Sequence, residues 1–310
     1  MKILIELPTW LGDAVMTTPA INNLIVHFEE NELTFLGSKA ALEVMEGYPN
    51  VVDTKPLKKD FISQYKVATG LGSFDYFFSF RGSLRSKFLK FLVKSNNKFQ
   101  FDKRIYQDIH QVEKYNSFVN DSLKIQTTPG QLNIYQQNTF LNKKSNLKLL
   151  GINPGASYGY AKRWYPEKFA EVIKALSKNY DTVIIGGDQE LDIANDIEKL
   201  LIESNVFNYE NLAGKTSISD LKSIISTFDL FITGDSGPMH IASSFQVPSI
   251  SIFGPTRTSE TSQWLNERSV IVKKNYKCQP CMKRKCPLKH HKCMKEISEI
   301  DVLEAVKLVN

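Results

Sequence analysis

Short apolar segments that run into loops and then into amphipathic helices recur along this chain of 310 residues. The segment Ile3–Ile5 predicts a buried strand, and apolar residues at helical spacing over Ala14–Phe28 predict the helix that follows it. Three more strands are predicted in the first half, at residues 33–36, 76–80 and 98–101. Between the last two, alternating apolar and basic residues over 84–94 predict an amphipathic helix with a basic face.

The second half repeats the strand–loop–helix order with more regularity. Strands are predicted at 147–152, 182–185, 230–233 and 249–253, and helices at 166–176, at 238–245, at 300–309 and in a segment ending near 201. Glycine-containing loops follow three of these strands, at 153–163, 186–188 and 234–237. Strands that alternate with helices form parallel sheets, and such sheets bind ligands at the carboxyl ends of their strands.

A polar stretch, Gln136–Asn146, separates the two halves and predicts a linker. The sequence therefore indicates two α/β domains that face each other, residues 1–146 and residues 147–310. We expect the last helix, at 300–309, to pack back on the first domain.

The composition is that of a folded, soluble chain, because 42% of the residues are apolar and 23% are charged. No stretch of about 18 apolar residues occurs, which argues against a membrane-spanning helix. Glu6, Pro8 and Asp13 interrupt the apolar start of the chain, and no small-residue cleavage site follows. We therefore expect no signal peptide and a cytoplasmic location.

Basic residues outnumber acidic residues by 39 to 33, and the excess is concentrated in two segments. Arg81–Arg104 holds eight basic residues and one acidic residue, Asp102, whereas Lys273–Lys295 holds nine basic residues and no acidic one. Such segments suit a phosphorylated partner, an anionic membrane surface or nucleic acid. The alternative is a solvated basic face that keeps the protein soluble.

Two loops of the second half have the features of phosphate-binding loops. Asn153–Ser157 is followed by Lys162 and Arg163, and Gly234–Pro238 places a proline in the first turn of the next helix. Exposed N–H groups and the helix dipole attract anions at such positions. Two loops of this kind in one domain indicate a nucleotide diphosphate, and the alternative is that their glycines only make tight turns. The sequence lacks the G-x-G-x-x-G and P-loop patterns, which argues against a dinucleotide oxidoreductase and a P-loop kinase.

Asp13 follows Gly12 at the start of the first predicted helix. An ordinary aspartate is ionised at neutral pH, so this carboxylate could act as a general base toward a ligand held by the other domain. The alternative is a helix cap, because acidic side chains near a helix N-terminus satisfy its free N–H groups.

All four cysteines of the chain lie within sixteen residues, together with two histidines: Cys278, Cys281, Cys286, His290, His291 and Cys293. Sulfur and imidazole ligands at such spacing are typical of structural zinc, but zinc ribbons have two C-x2-C pairs and this segment has one. Disulfides are not expected in the cytoplasm, so we favour free thiols over a zinc site. A nucleic-acid-binding tail is a further alternative, and it leaves Asp13 and the phosphate loops unexplained.

Four motifs, in one order along the chain from residue 8 to residue 294, resemble those of bacterial heptosyltransferases, glycosyltransferase family 9. They are the segment 8–20, which begins Pro8-Thr9-Trp10-Leu11-Gly12-Asp13; Asn153-Pro154-Gly155-Ala156 with Ala161-Lys162-Arg163-Trp164; Asp235-Ser236-Gly237-Pro238-Met239-His240 with Phe253-Gly254-Pro255-Thr256; and the cysteine-rich segment 278–294. The last motif looks like that of the heptosyltransferase II branch of the family.

The resemblance implies a GT-B fold, in which two Rossmann-like domains with parallel sheets face each other across a cleft. The first domain would bind the acceptor and the second the nucleotide sugar. The implied reaction is the inverting transfer of L-glycero-D-manno-heptose from ADP-heptose to the first heptose of the lipopolysaccharide inner core, in heptose-Kdo-lipid A. The alternatives are heptosyltransferase I or another GT-B nucleotide-sugar enzyme with a different acceptor, including an epimerase. No cofactor and no nucleic-acid partner are expected.

Carried over by position, Asp13 is the base that deprotonates the acceptor hydroxyl, Lys162 holds the diphosphate and Glu190 reaches the ADP ribose. The other residues assigned to the donor are Ser157, Asp235, Ser236, Gly237, Pro238 and His240. The residues assigned to the acceptor are Trp10, Gly12, Arg81 and Arg85.

The predicted basic helix then has targets in the phosphates and carboxylates of the acceptor, and in the anionic inner face of the inner membrane. We expect a cytoplasmic enzyme that makes peripheral contact with that membrane. For the apolar residues of the helix, Leu84, Phe88 and Leu92, we expect packing in the core.

Overall fold

The computed structural model describes residues 1–136 and 145–309, which belong to two compact units, Met1–Gln136 and Gln137–Asn310. Each unit contains a parallel sheet whose strands alternate with helices, so the expected pair of parallel-sheet α/β domains is confirmed. Of the predicted linker, residues 136–146, the part 137–144 lies outside the described residues.

The first unit is built on five parallel strands in the order β3-β2-β1-β4-β5. Its elements are β1 (Lys2–Glu6), α1 (Leu11–Met16), α2 (Thr18–His27), β2 (Glu32–Gly37), α3 (Lys39–Val44), β3 (Val51–Pro56), α4 (Phe61–Gly70), β4 (Phe74–Ser79), α5 (Leu84–Leu92), β5 (Ser95–Gln100) and α6 (Gln111–Leu123). The three inner strands are largely buried, as parallel strands covered on both faces require.

The helix predicted over Ala14–Phe28 is instead two helices, α1 and α2, which meet at Thr17. Pro19 has no N–H to donate and its ring crowds the preceding turn, so one helix cannot continue through this position. The first helix begins at Leu11, earlier than predicted, and carries Asp13 in its first turn.

Helix α5 also differs from its prediction. Leu92 packs against the core, as expected, but Leu84 is 78% exposed and Phe88 is only half-buried. The fully buried residues of the helix are Ser86 and Leu89, which lie on the side opposite Leu84. Core packing therefore does not account for Leu84, and that expectation is wrong.

The second unit has six parallel strands in the order β11-β10-β9-β6-β7-β8. Its elements are β6 (Lys148–Asn153), a 3₁₀ turn (Tyr160–Lys162), α7 (Pro166–Leu176), β7 (Tyr180–Ile184), a second 3₁₀ turn (Asp188–Glu190), α8 (Leu191–Glu203), β8 (Tyr209–Asn211), α9 (Ile218–Ser226), β9 (Leu230–Gly234), α10 (Gly237–Ser244), β10 (Ser249–Phe253), α11 (Thr258–Thr261), β11 (Ser269–Lys273), α12 (Lys292–Lys295) and α13 (Glu299–Val309). The strands and helices predicted for this half are all present, with ends that differ by at most two residues.

The last helix, α13, packs within the second unit. The buried residues of the helix are Val302, Ala305, Val306 and Val309, and they belong to the same buried core as the strands β6, β9 and β10. These residues thus anchor the helix in its own unit, and the expectation that it also packs back on the first domain stays a prediction.

In each sheet the chain first adds strands toward one edge and then returns to the first strand and adds strands toward the other edge. We call the place between the two strands where this direction changes the reversal point. This point lies between β1 and β4 in the first unit and between β6 and β9 in the second. Loops that leave the carboxyl ends of two such strands diverge and leave a crevice, where open α/β sheets bind ligands. Among the helices of the described residues, none has the length and apolar character needed to cross a membrane.

Candidate functional site

In the first unit, the loop after β1 leads at the reversal point into α1, which carries Asp13 in its first turn. Asp13 is half-buried, and the buried Tyr115 of α6 donates its hydroxyl hydrogen to Asp13 Oδ1 at 3.4 Å. Burial first, and the charge of Asp13 second, raise the pKa of Tyr115 well above its ordinary value. The phenol therefore stays protonated and remains a hydrogen-bond donor to the carboxylate.

Glu6 ends β1 as a fully buried carboxylate with three partners. Arg81 Nη1 lies 3.1 Å from Glu6 Oε1, and the hydroxyls of Ser79 and Ser86 donate to the two carboxylate oxygens at 2.5 and 3.0 Å. Burial raises the pKa of Glu6, although Arg81 and the two hydroxyls oppose that rise. Glu6 thus fixes Arg81, which the sequence assigns to the acceptor, at the carboxyl end of the sheet.

The remaining residues assigned to the acceptor follow strands of the same sheet. Trp10 is exposed at the N-cap position of α1 and makes no side-chain capping bond, and Gly12 is half-buried after it. Arg85, in the first turn of α5, donates to the Lys59 carbonyl oxygen at 2.6 Å. This bond ties α5 to the segment before α4, so loops that follow β1, β3 and β4 meet at one edge of the sheet.

In the second unit, Lys162 and Asp235 form an ion pair at the reversal point between β6 and β9. Lys162 Nζ lies 2.6 Å from Asp235 Oδ2 and 3.2 Å from the Asp235 carbonyl oxygen. Thr256 donates its hydroxyl hydrogen to the same carboxylate oxygen at 2.6 Å, and the Tyr158 ring centroid lies 4.8 Å from the ammonium. The fold thus joins residues that the sequence presents in two separate motifs.

A cluster of uncharged polar side chains lies at the N-terminus of α10. Asn153 Nδ2 donates to Thr233 Oγ1 at 3.0 Å and to Ser236 Oγ at 2.9 Å. Ser236 is the N-cap residue, but its side chain makes no capping bond, so it leaves the first N–H groups of the helix to other acceptors. The helix begins at Gly237, one residue earlier than predicted, and Pro238 lies in its first turn as the sequence predicts.

Two further residues assigned to the donor differ in their access to a ligand. Ser157 is exposed in the loop after β6. His240 is buried within α10.

The Glu190 carboxylate is bound by groups of the second unit itself. Its Oε2 accepts the Gly187 N–H at 2.9 Å, and its Oε1 lies 3.4 Å from Arg163 Nη2. A β-carbon on Gly155 would stand 1.8 Å from Glu190 Cγ, so the close approach of Glu190 by itself requires glycine there. Of the two cations predicted beside this loop, Arg163 is paired with Glu190 and Lys162 with Asp235.

The four cysteines line one cavity of about 20 Å³, roughly the space of one water. Other residues that line it are His290, His291, Ala161 and Pro255. Within residues 1–136 and 145–309, no group of three or more His, Cys, Asp or Glu side chains is arranged to hold a metal ion. Burial, followed by the three neighbouring sulfurs, raises the pKa of Cys293 to about 11. This thiol is therefore protonated at neutral pH.

The cysteine segment also packs on the loop that carries Lys162. The Ala161 N–H donates to the Arg284 carbonyl oxygen at 3.1 Å, and the Tyr158 hydroxyl donates to the Met282 carbonyl oxygen at 2.7 Å. The segment is thus a support for the predicted donor loop.

Sequence reasoning missed three partners of the predicted residues. The sequence could have indicated Glu6, because a charged residue at the end of an apolar parallel strand is buried and needs partners. The sequence gives no indication of Tyr115 as a partner, since 102 residues separate it from Asp13 and only the fold brings the two together. Thr256 stands in one of the motifs, but nothing in the sequence pairs it with Asp235.

Residues 72–292 match the family described as Glycosyltransferase family 9 (heptosyltransferase). The chain belongs to this family, as the order of its motifs predicts.

Lipooligosaccharide heptosyltransferase 2 of Campylobacter jejuni is 40% identical over 315 residues, covering 99% of this chain and 98% of that protein. The solved structure of Escherichia coli ADP-heptose lps heptosyltransferase II matches with a TM-score of 0.82 at 20% identity, over 100% of this chain and 98% of that one. The family 9 glycosyltransferase of Veillonella parvula matches with a TM-score of 0.82 at 21% identity, over 99% and 96% of the two chains. The expected GT-B fold class is confirmed by these matches.

Proposed function

We propose that this glycosyltransferase moves L-glycero-D-manno-heptose from ADP-heptose to the first heptose of the lipopolysaccharide inner core, in heptose-Kdo-lipid A. Similarity along nearly the whole chain to a lipooligosaccharide heptosyltransferase 2, and the fold shared with an ADP-heptose heptosyltransferase II, support the proposal. The observation that carries it is positional. Asp13 and Lys162 come from different motifs, and each lies at the reversal point of its own sheet, where such sheets bind ligands.

The second unit binds the donor through its diphosphate. Lys162 supplies a positive charge, and the N-terminus of α10 supplies the N–H groups that follow Ser236. Asp235 holds the Lys162 ammonium in place and accepts hydrogen bonds from hydroxyl groups of the sugar, while Glu190 borders the ribose. Because Lys162 and the helix dipole stabilise the charge on the departing diphosphate, the proposal includes no cofactor.

Asp13 is the general base. Its carboxylate accepts the proton of the acceptor hydroxyl while that oxygen attacks the anomeric carbon of the heptose. The new glycosidic bond forms as the bond from the anomeric carbon to the diphosphate oxygen breaks, and ADP leaves with that electron pair. A single in-line displacement inverts the anomeric configuration. Tyr115 donates to the ionised form of Asp13 and thereby favours it.

The first unit binds the acceptor, with Trp10 and Gly12 beside the base and with Arg81 and Arg85 facing its anionic groups. Guanidinium groups suit phosphates and carboxylates because they donate paired hydrogen bonds to them. Since this acceptor is anchored by its lipid, the enzyme works in the cytoplasm as a peripheral protein at the inner face of the inner membrane. Nucleic acid is not a partner in this proposal.

The test is transfer from ADP-heptose to purified heptose-Kdo-lipid A, followed by mass spectrometry of the acceptor. We expect a mass gain of one heptose and release of ADP. Kdo-lipid A without heptose serves as the control acceptor, and a gain on that acceptor alone would reassign the chain to the first heptose transfer. Absence of a gain on both acceptors, with ADP still bound, would contradict the proposed reaction and leave the fold unaffected.

A further inference from the structure

Helix α5 has apolar residues on two sides, and only one of these sides faces the core. Leu89 is buried there, together with Val93 just beyond the helix. On the other side, Leu84, Phe88 and Phe91 are spaced i, i+4, i+7 and form a second apolar stripe. Leu84 and Phe91 are 78% and 81% exposed, so this stripe is turned to solvent.

Helix α4 extends the exposed stripe. The ring of Phe61 meets the ring of Phe88 edge to face, with centroids 5.3 Å apart. Further large apolar side chains of α4 are exposed next to Phe61 along that helix, at Ile62 and Tyr65. Six residues make up what we call the α4–α5 face: Phe61, Ile62, Tyr65, Leu84, Phe88 and Phe91. Exposed apolar side chains grouped on two packed helices in this way mark an interaction site in a folded protein.

The α4–α5 face is bordered by positive charge. Neither helix contains an acidic residue, and the acidic residue beside them is Asp60, whose side chain caps the N-terminus of α4. The basic residues on the two helices and on the segments that flank them are Lys58, Lys59, Lys66, Arg85, Lys87, Lys90 and Lys94. Aromatic and leucine side chains insert at the boundary between headgroups and acyl chains, and lysine side chains reach the anionic headgroups from there. Protein–protein interfaces are depleted in lysine, so the composition favours a lipid surface over a second protein.

We infer that the α4–α5 face is the surface on which this enzyme rests on an anionic phospholipid bilayer. The inference rests on the proposed function, because the acceptor of that reaction is itself held in a bilayer. Arg85 is assigned to the acceptor and lies on α5. A bilayer seated on this face therefore presents the sugar of a lipid-anchored acceptor close to the acceptor side of the first unit.

The test compares binding to two kinds of vesicle by co-sedimentation, phosphatidylcholine alone and phosphatidylcholine with phosphatidylglycerol. We expect the full chain to sediment with the anionic vesicles and to dissociate as salt is raised. The double variant Leu84→Ser/Phe91→Ser removes two exposed apolar side chains and should lose at least about tenfold in vesicle affinity. The matched control is Phe207→Ser in the second unit, where a phenylalanine that is 68% exposed lies outside this face.

Transfer assays separate this inference from the proposed function. The double variant should act like the unaltered chain on an acceptor freed of its acyl chains, and should lose activity on the acceptor embedded in anionic vesicles. Equal vesicle affinity of the double variant and the unaltered chain would overturn the inference. A dimer of the unaltered chain in gel filtration, with a monomer of the double variant, would also overturn it, because the face would then be a contact between two copies of the chain. The unaltered chain could instead bind anionic vesicles, lose that binding in the double variant and transfer heptose to neither acceptor. That result would support the α4–α5 face as the membrane surface and refute the proposed reaction.

Discussion

Lys162 Nζ and Asp235 Oδ2 lie 2.6 Å apart, although 73 residues separate the two along the chain. Both side chains are largely buried, and the hydroxyl of Thr256 donates to the same carboxylate oxygen. A buried pair of this kind is stable only while both partners are present, because removal of one leaves an uncompensated charge. The pair thus prepares a cation at the edge of the sheet where the proposed diphosphate binds.

Lys162→Ala should weaken ADP binding about tenfold to a hundredfold, as expected for the loss of a charge-assisted hydrogen bond. Isothermal calorimetry with ADP measures the change. Lys162→Arg retains the charge and should recover part of the affinity, whereas Lys199→Ala, on the surface of α8, should have no effect. Unchanged ADP affinity in a folded Lys162→Ala variant would contradict the role in diphosphate binding.

The Lys162–Asp235 pair shows how far the sequence alone leads. Strands and loops of the second unit are predictable because each of the strands β6, β9 and β10 is a mainly apolar, buried segment followed by a glycine-containing loop. Alternation of strands and helices then predicts which loops lie at the same edge. The sequence does not predict that the Lys162 ammonium is paired with the Asp235 carboxylate, since that depends on side-chain positions across two loops.

The first unit was harder to predict because its local patterns are weaker. Strand β3 alternates half-buried with exposed residues, and its sequence, Val51-Val52-Asp53-Thr54-Lys55-Pro56, has no continuous apolar run. On α5, the expected packing in the core is right for Leu92 and wrong for Leu84, because a short helix with apolar residues on both sides does not show by its sequence which side is covered. Only the packing of the sheet decides which side is covered.

Asp13→Asn should lower transfer by about 10²- to 10⁴-fold, the contribution of a general base, while ADP binding remains intact. Rates of ADP release with acceptor present measure the first effect and calorimetry the second. Asp192→Asn is the matched control, since Asp192 also lies in the first turn of a helix and is exposed. Turnover near that of the unaltered chain would remove Asp13 from the mechanism.

Tyr115→Phe should shift the acidic limb of the pH–rate profile to higher pH. The Tyr115 hydroxyl donates to Asp13 Oδ1, and a hydrogen bond to the ionised carboxylate favours ionisation. Without that bond, a smaller fraction of the base is ionised at low pH, while the rate on the plateau falls less than tenfold, as for the loss of about one neutral hydrogen bond. Tyr106→Phe, whose hydroxyl bonds Asp121 at the surface, should leave the profile in place. A uniform loss of rate with an unmoved limb would indicate a purely structural role for Tyr115.

Glu6→Gln should change how the free energy of unfolding depends on pH. Burial raises the pKa of Glu6 above its ordinary value of 4.5, so the folded chain binds this proton more tightly than the unfolded chain. The stability of the unaltered chain relative to the variant should therefore fall as pH rises from about 4.5, by roughly 1.4 kcal/mol for each unit of difference between the two pKa values. Urea unfolding across a pH series measures this difference, with exposed Glu29→Gln as the control. A relative stability that rises with pH would mean that Arg81 outweighs burial.

The four cysteines should behave as free thiols that differ in reactivity. Cys293 is buried and its pKa is raised to about 11, so its thiol stays protonated at pH 8. A thiol reagent such as DTNB should therefore modify Cys278, Cys281 and Cys286 well before Cys293, and mass spectrometry of the peptides gives the order. Incubation with EDTA should change neither the melting temperature nor the rate of transfer. A metal that co-purifies one to one, protects the thiols and stabilises the fold would instead make the segment a metal site. Because this segment supports the loop that carries Lys162, modification of its thiols should also weaken ADP binding.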